Sequence, residues 1–197
     1  MNDSHPNSSR DRLLEILKAK SVFFGDFTLA SGAKSTFYID CRLTTLDGEG
    51  ATLIGEILAP MIREKAQELG VDMSGVGGLT LGADPISLAT AMASHRAGDA
   101  SPLRAFVVRK EAKDHGKGKQ IEGGFSDGDT VVAIDDVITT GGSTLKAVDA
   151  IEAAGGKVAF VAVLVERGTD GRANIEGRGY PVISVFSQED LLGDHSA

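Results

Sequence analysis

An unbroken apolar run, Val158-Ala159-Phe160-Val161-Ala162-Val163-Leu164-Val165, follows an amphipathic stretch that stops at Gly155-Gly156. A strand wetted on one side alternates apolar with polar residues, whereas a strand without polar positions has to be covered on both faces. That requires a sheet sandwiched between helices, and the rest of the chain supplies the pieces. Leu103 to Val108 and Thr130 to Ile134 are similar strands, Val76 to Leu81 is a short Gly-rich one, and Pro181 to Phe186 is another. Helical spacing of apolar residues marks Arg10 to Lys20 (Leu13, Leu14, Ile16, Leu17), Gly50 to Leu69 before Gly70, Pro85 to Arg96, and Ser143 to Ala154. Pro60 predicts a kink or a broken start in the second of these. The expected fold is α/β, a mostly parallel central sheet flanked by helices. Such sheets bind ligands at the carboxyl ends of their strands, so chemistry is expected just after Val108, Ile134 and Val165.

At 197 residues the chain suits one domain with a substantial core, and no internal repeat or linker divides it. Residues 1–10 are expected as a disordered polar tail and 11–197 as a single domain. A hydrophobic share of 42% excludes a wholly disordered chain. The single cysteine, Cys41, excludes an internal disulfide framework and fits a reducing compartment. No apolar run approaches the ~20 residues of a membrane span, and Met1 to Arg10 lacks the apolar core of a signal peptide. A cytoplasmic protein is the expectation, with no membrane partner. A net charge of −8 argues against a nucleic-acid surface, and any anion site must gather its cations locally.

The chemistry concentrates in Val131-Val132-Ala133-Ile134-Asp135-Asp136-Val137-Ile138-Thr139-Thr140-Gly141-Gly142-Ser143. An apolar strand ends in two carboxylates, and a turn of small residues then opens a helix. Thr139 to Ser143 offer backbone N–H groups, hydroxyls and a helix N-terminus, an anion site that uses no lysine. The glycines allow close backbone approach. Paired aspartates would repel a phosphate, so they need another task. As acceptors they suit the vicinal hydroxyls of a ribose, or a Mg²⁺ reached directly or through water. Other nucleotide motifs fail: a Walker loop needs lysine where Gly142 stands, and Gly75-Val76-Gly77-Gly78-Leu79-Thr80 has threonine at the third glycine of the dinucleotide fingerprint.

Val131 to Ser143 resembles the phosphoribosyl pyrophosphate (PRPP) signature of type I phosphoribosyltransferases. The resemblance implies that fold, with a small hood largely from residues 20–45. It implies that Asp135 and Asp136 hold the ribose hydroxyls and that Thr139, Thr140, Gly141, Gly142 and Ser143 hold the 5′-phosphate, with Val137 and Ile138 also among the PRPP-binding residues.

A second stretch narrows the family. Arg109-Lys110-Glu111-Ala112-Lys113-Asp114-His115-Gly116-Lys117-Gly118-Lys119 is rich in cations within an acidic chain. Charged loops are commonly just solvated. This one follows a strand of the sheet, where a closing basic loop can neutralise a leaving pyrophosphate and exclude water. It resembles the catalytic loop of orotate phosphoribosyltransferases. The resemblance implies that Arg109, Lys110, Lys113 and His115 contact the pyrophosphate of PRPP, with Lys113, His115, Asp135 and Asp136 as the catalytic set. Phe27 to Asp40 resembles the family's base-site segment, so Tyr38 and Ile39 are expected to pack the pyrimidine. Arg167 matches the arginine that takes the orotate carboxylate, where a planar guanidinium fits a carboxylate by two parallel hydrogen bonds. Thr139 is a second orotate contact. The family also implies Mg²⁺, held mainly by PRPP with no direct protein ligand and with water as any bridge to Asp135 or Asp136, and a homodimer with shared active sites. Two departures stand out: Ala30 and Gly82 occupy positions where many members carry lysine. The rival readings are a phosphoribosyltransferase for another base, which would lack the Arg109-to-His115 pattern, and a PRPP-sensing regulator, which would need a nucleic-acid surface.

Overall fold

The computed structural model describes residues 8–28, 34–111 and 120–193. In chain order its elements are α1 (Ser9–Lys20), β1 (Val22–Thr28), β2 (Lys34–Ile39), α2 (Arg42–Thr45), α3 (Gly48–Leu69), β3 (Gly75–Leu79), α4 (Ala83–Arg96), β4 (Arg104–Val108), β5 (Ile121–Gly123), β6 (Thr130–Ile138), α5 (Gly142–Ala153), β7 (Lys157–Glu166), α6 (Asp170–Glu176), β8 (Val182–Ser187) and α7 (Gln188–Leu192). One sheet has the strand order β5-β4-β3-β6-β7-β8. It is parallel throughout except for β5, which returns antiparallel beside β4. β1 and β2 form a separate antiparallel pair, within the span expected as the hood.

Two cores, one on each face, account for the apolar runs. On β6, Val132 and Ile134 pack with Leu13, Leu17, Ile54, Leu58 and Ile62, while Val131 and Ala133 pack with Ala147, Val148 and Ile151. On β7, Phe160, Ala162 and Leu164 join the first core, and Val161 and Val163 the second. Successive strand residues point to opposite faces, so a continuous apolar run is what two cores require. Each large side chain fully buried this way contributes roughly 1.5–3 kcal/mol.

Several boundaries differ from expectation for identifiable reasons. α1 starts at Ser9 because Ser8 caps it: the Ser8 hydroxyl accepts from the Asp11 N–H, and the Asp11 carboxylate accepts back from Ser8. Arg10, where the expected tail and the expected helix overlap by one residue, is helical. Its guanidinium lies over the Phe186 ring and bonds the Val185 carbonyl and Asp190. α3 begins early, capped by Asp47, and runs unbroken through Pro60 to Gly70, whose φ of 66° ends it. Pro60 is on the exposed face, where water can satisfy the carbonyl it leaves unpaired. β6 does not stop at Ile134. Its pairing with β7 continues from Asp135 opposite Val163 to Ile138 opposite Glu166, so the two aspartates ride on the strand itself.

α3 and α4 approach most closely at Gly55, where an added Cβ would overlap the Ala89 carbonyl oxygen and lie 2.8 Å from its carbon. Alanine at this position would gain up to about 1 kcal/mol in helix propensity. Forcing two backbones apart costs about 1–3 kcal/mol, so the clash outweighs the gain. Gly55→Ala is expected to lower the urea midpoint at unchanged slope; an unchanged or higher midpoint would show that the helices separate freely here.

Candidate active site

At the carboxyl ends of β3, β4 and β6 lies a cavity of about 340 Å³. Among the expected site residues it gathers Tyr38, Ile39, Lys110, Asp135, Asp136, Val137 and Ser143. Residues that sequence reasoning passed over also line it: Asp40, Arg42 and the turn from Leu79 to Gly82. A wider groove of about 750 Å³ runs between α3 and α4, away from the strand ends, and Arg63 in its wall already bonds Asp99, Ser94 and the Ser101 carbonyl.

The two aspartates have different environments. Asp135 is 5% exposed. Its Oδ2 accepts from the Ser143 and Thr144 hydroxyls at 2.8 and 2.6 Å, and its Oδ1 accepts from the Asp136 N–H at 3.1 Å. It thus ties the strand end to the first turn of α5. Asp136 is partly exposed to the cavity and lies against Gly82: a Cβ there would overlap Asp136 Oδ1 and sit 2.7 Å from its Cγ. A side chain at Gly82 would require this carboxylate to shift. Burial raises the proton affinity of both acids. Asp136 is pushed up to about 6, by burial first and then by the neighbouring Asp135. Cys41 lies fully buried nearby, its thiol raised by burial and then by Asp136, Asp40 and Asp135.

The turn after the acids is open where a ligand would need it. Thr139, Thr140, Gly142 and Ser143 are exposed, and Gly141, at φ 76°, makes the bend into α5 that only glycine adopts freely. The first N–H groups of α5 have no carbonyl partners within the helix and suit an anion. The Ile138 side chain, by contrast, is buried in the core, so it can offer a ligand only backbone.

Arg167 follows β7 and is anchored three ways. Its guanidinium stacks on the Phe37 ring at 4.5 Å, donates to Ser35 Oγ at 3.0 Å, and its N–H bonds the Ile138 carbonyl. Burial lowers its proton affinity. Ser35 and Phe37 were not expected; their period-2 spacing on β2 was the available signal. Tyr38, the next residue along and on the opposite face of the strand, packs on Phe27 at 5.7 Å. Ile39 is 7% exposed and mostly committed to the core, so Tyr38 is the freer of the two residues expected at the base.

Lys110 reaches the cavity. Arg109 does not line it, and faces Glu122 at 3.9 Å. Lys113, His115 and Ala30 lie outside the described residues.

Residues 85–190 match the family model described as a phosphoribosyl transferase domain. The orotate phosphoribosyltransferase of Rhodopirellula baltica is 40% identical over 191 residues, covering 97% of this chain and 98% of its own. This chain belongs to the orotate phosphoribosyltransferase family. Two solved structures of the family, both the Mycobacterium tuberculosis enzyme, superpose on it. One, in complex with Fe(III) dicitrate, has a TM-score of 0.78 at 40% identity and covers 93% of this chain and 98% of that one. The other, in complex with PRPP, has a TM-score of 0.72 at 34% identity, with 94% and 93% covered.

The raised proton affinity of Asp136 makes a stability prediction for this family member. A carboxyl that holds its proton up to about pH 6 when folded, but titrates at ordinary values when unfolded, favours the folded state below pH ~4. That contribution fades as pH rises through about 6. Asp136→Asn removes the ionisation, so at pH 7.5 it should raise the unfolding free energy read from urea titration by at most about 3 kcal/mol, with the gain vanishing toward pH 4. A variant no more stable than wild type at pH 7.5 would mean that the folded carboxylate carries no penalty.

Proposed function

We propose that this chain transfers the phosphoribosyl group of PRPP to orotate, giving orotidine 5′-phosphate and pyrophosphate in the synthesis of UMP. The observation that carries the reading is Arg167, a guanidinium stacked on Phe37 and hydrogen-bonded to Ser35 of β2, the strand whose Tyr38 lines a cavity together with the acidic pair and Ser143. A planar, fixed cation is suited to a planar carboxylate, and orotate is a pyrimidine that carries one.

The family resemblance and the lining of the cavity together support the following roles. The 5′-phosphate sits on Thr139 to Ser143, where N–H groups, hydroxyls and the α5 dipole favour negative charge. Asp136 accepts a ribose hydroxyl and faces the positive charge that grows on the ribose ring as pyrophosphate leaves. Asp135 reaches the second hydroxyl while holding the turn. The orotate ring packs on Tyr38 and Ile39 with Thr139 at its edge, its carboxylate on Arg167, and its ring nitrogen attacks from the face opposite the leaving group. Arg109 and Lys110, with Lys113 and His115 from residues outside those described, stabilise the departing pyrophosphate.

Mg²⁺ is the cofactor this chemistry implies. Among the described residues no cluster of three or more acids, histidines or cysteines could hold a metal. An ion brought in with PRPP would take most of its ligands from phosphate and water, with Asp136 the carboxylate able to meet it through water. Its bound charge eases departure of pyrophosphate. No described helix is long and apolar enough to cross a membrane. We place the enzyme in the cytoplasm as a homodimer whose basic loop completes the neighbouring site.

Purified protein with PRPP and Mg²⁺ should consume orotate and use uracil, which lacks the carboxylate, far less well. Arg167→Lys should raise the orotate KM at least tenfold while leaving the PRPP KM nearly unchanged, because paired hydrogen bonds to one carboxylate are lost. Equal use of uracil, or an unchanged orotate KM in the variant, would refute the assignment.

The shared site has its own test. Lys113→Ala breaks the loop and Asp136→Asn breaks the core. In a C₂ dimer that lends loops across the interface, a mixed dimer pairs one intact loop with one intact core. Free exchange should restore about a quarter of all sites. Activity that stays at the sum of the two parents, with exchange verified separately, would show that each loop serves its own core.

A further inference from the structure

The cavity's charge balance leaves a shortage. Among the described residues lining it, Arg42 and Lys110 are the cations, against the carboxylates of Asp40, Asp135 and Asp136. A pyrophosphate brings several more negative charges into the same space. Neither Ala30 nor Gly82 can supply one of the positive charges that other family members carry at these positions, and Gly82 has no room to gain a side chain while Asp136 stays in place.

We propose that Arg42 binds the pyrophosphate of PRPP and supplies positive charge missing at Gly82. This rests on the transferase reading above and deepens it. Arg42 opens α2, directly after the β2 strand that holds Tyr38, and lines the cavity together with the Leu79 to Gly82 turn. Its guanidinium is held in one orientation by Asp40: Nε donates to Oδ1 and Nη2 to Oδ2, each at 2.8 Å, and the Arg42 N–H donates to Oδ1 at 3.1 Å. That fork leaves Nη1, with both its N–H groups, outside the pair. The two partners differ in exposure, Asp40 at 19% and Arg42 at 48%, so the acid is the seated partner and the cation the open one. An exposed ion pair of this kind contributes little to stability, which removes a purely structural reason for so well oriented a fork. A pre-oriented guanidinium loses less freedom on meeting an oxyanion than a free lysine does. Arg42 also senses the site electrostatically. Its proton is held first by Asp40, with smaller contributions from Tyr38 and Asp136. An acceptor arriving beside Asp136 therefore arrives within reach of this charge.

The test uses the full-length enzyme and two variants, Arg42→Gln and Arg42→Lys. Steady-state assays give KM for PRPP and for orotate, and product inhibition gives Ki for Mg²⁺-pyrophosphate. Thermal melting reports folding. Arg42→Gln should raise the PRPP KM and the pyrophosphate Ki together by about tenfold, the share of one charge-assisted hydrogen bond, with the orotate KM within twofold of wild type. Arg42→Lys, which keeps the charge but not the fork, should fall between. A melting temperature that drops with a parallel rise in both KM values, and no recovery in Arg42→Lys, would mean that Arg42 serves the fold and would overturn the proposal. So would PRPP and pyrophosphate constants within twofold of wild type in Arg42→Gln. Should the glutamine variant not fold, Arg42→Lys decides alone: a raised pyrophosphate Ki with unchanged orotate KM supports the role, and unchanged constants refute it. Titration of wild type with Mg²⁺-pyrophosphate separates this claim from the base assignment. A protein that binds pyrophosphate but ignores orotate has the wrong base assigned, while Arg42 is still tested.

Discussion

The buried carboxylate of Asp135 is the joint on which the site depends. β6 is gripped by an apolar core on each face, which fixes its position. Asp135 carries that rigidity past the strand by accepting hydroxyls from Ser143 and Thr144 across the turn. A carboxylate taken out of water is costly unless its oxygens are filled, so the turn is held closed onto the acid by the same bonds that reduce that cost. The result is a set of backbone N–H groups at the start of α5 that need no rearrangement when an anion arrives. Asp136, one residue on, points where Asp135 cannot, because alternate strand residues face opposite ways. Neighbouring residues that look equivalent in sequence thus differ: both line the cavity, but Asp135 also holds the turn, and Asp136 is the more open of the two.

That division marks where sequence reading stopped. The apolar runs gave the parallel sheet and its flanking helices, because two-sided burial leaves a signature no other arrangement requires. The ends of those runs were less legible. β6 was expected to stop at the first polar residue, yet Asp135 and Asp136 continue the pairing with β7, because a backbone ladder does not need apolar side chains. β5 is three residues long and α7 five, too short to develop a period. In the site, Asp136, Lys110 and Arg167 could be named because motifs carry them. Ser35 and Phe37 lie in the Phe27-to-Asp40 segment but were not singled out there, and Arg42 belongs to no motif; their contacts are visible only with β2 and α2 folded over the strand ends.

β2 shows how one short strand serves several tasks. Ser35 and Phe37, two residues apart, face Arg167 together and fix its plane from below and from the side. Tyr38 faces the other way, toward Phe27. Ile39 closes the strand by entering the core, which anchors the separate β1–β2 pair to the main sheet. The chain then turns through Cys41, fully buried, to place Arg42 at the cavity. A one-residue slip in the β1–β2 register would exchange these faces and misplace the base-side contacts together.

The same logic explains why an acidic protein can bind one of the more highly charged small substrates in metabolism. Its net charge of −8 opposes approach of an anion, so the cations have to be few and placed. The two acids at the site add to that opposition when ionised, and burial makes their ionised forms costly in the empty enzyme. Once the ribose ring takes on positive charge, the sign of the interaction reverses and the same carboxylates become favourable partners. An arrangement that costs stability in the empty site and is repaid only as the reaction proceeds favours the transition state over the bound substrate, which is the condition for accelerating the chemical step. Gly82 belongs to this arrangement: by lacking a side chain it leaves the Asp136 carboxylate its place in the cavity, and any cation there has to come from another element.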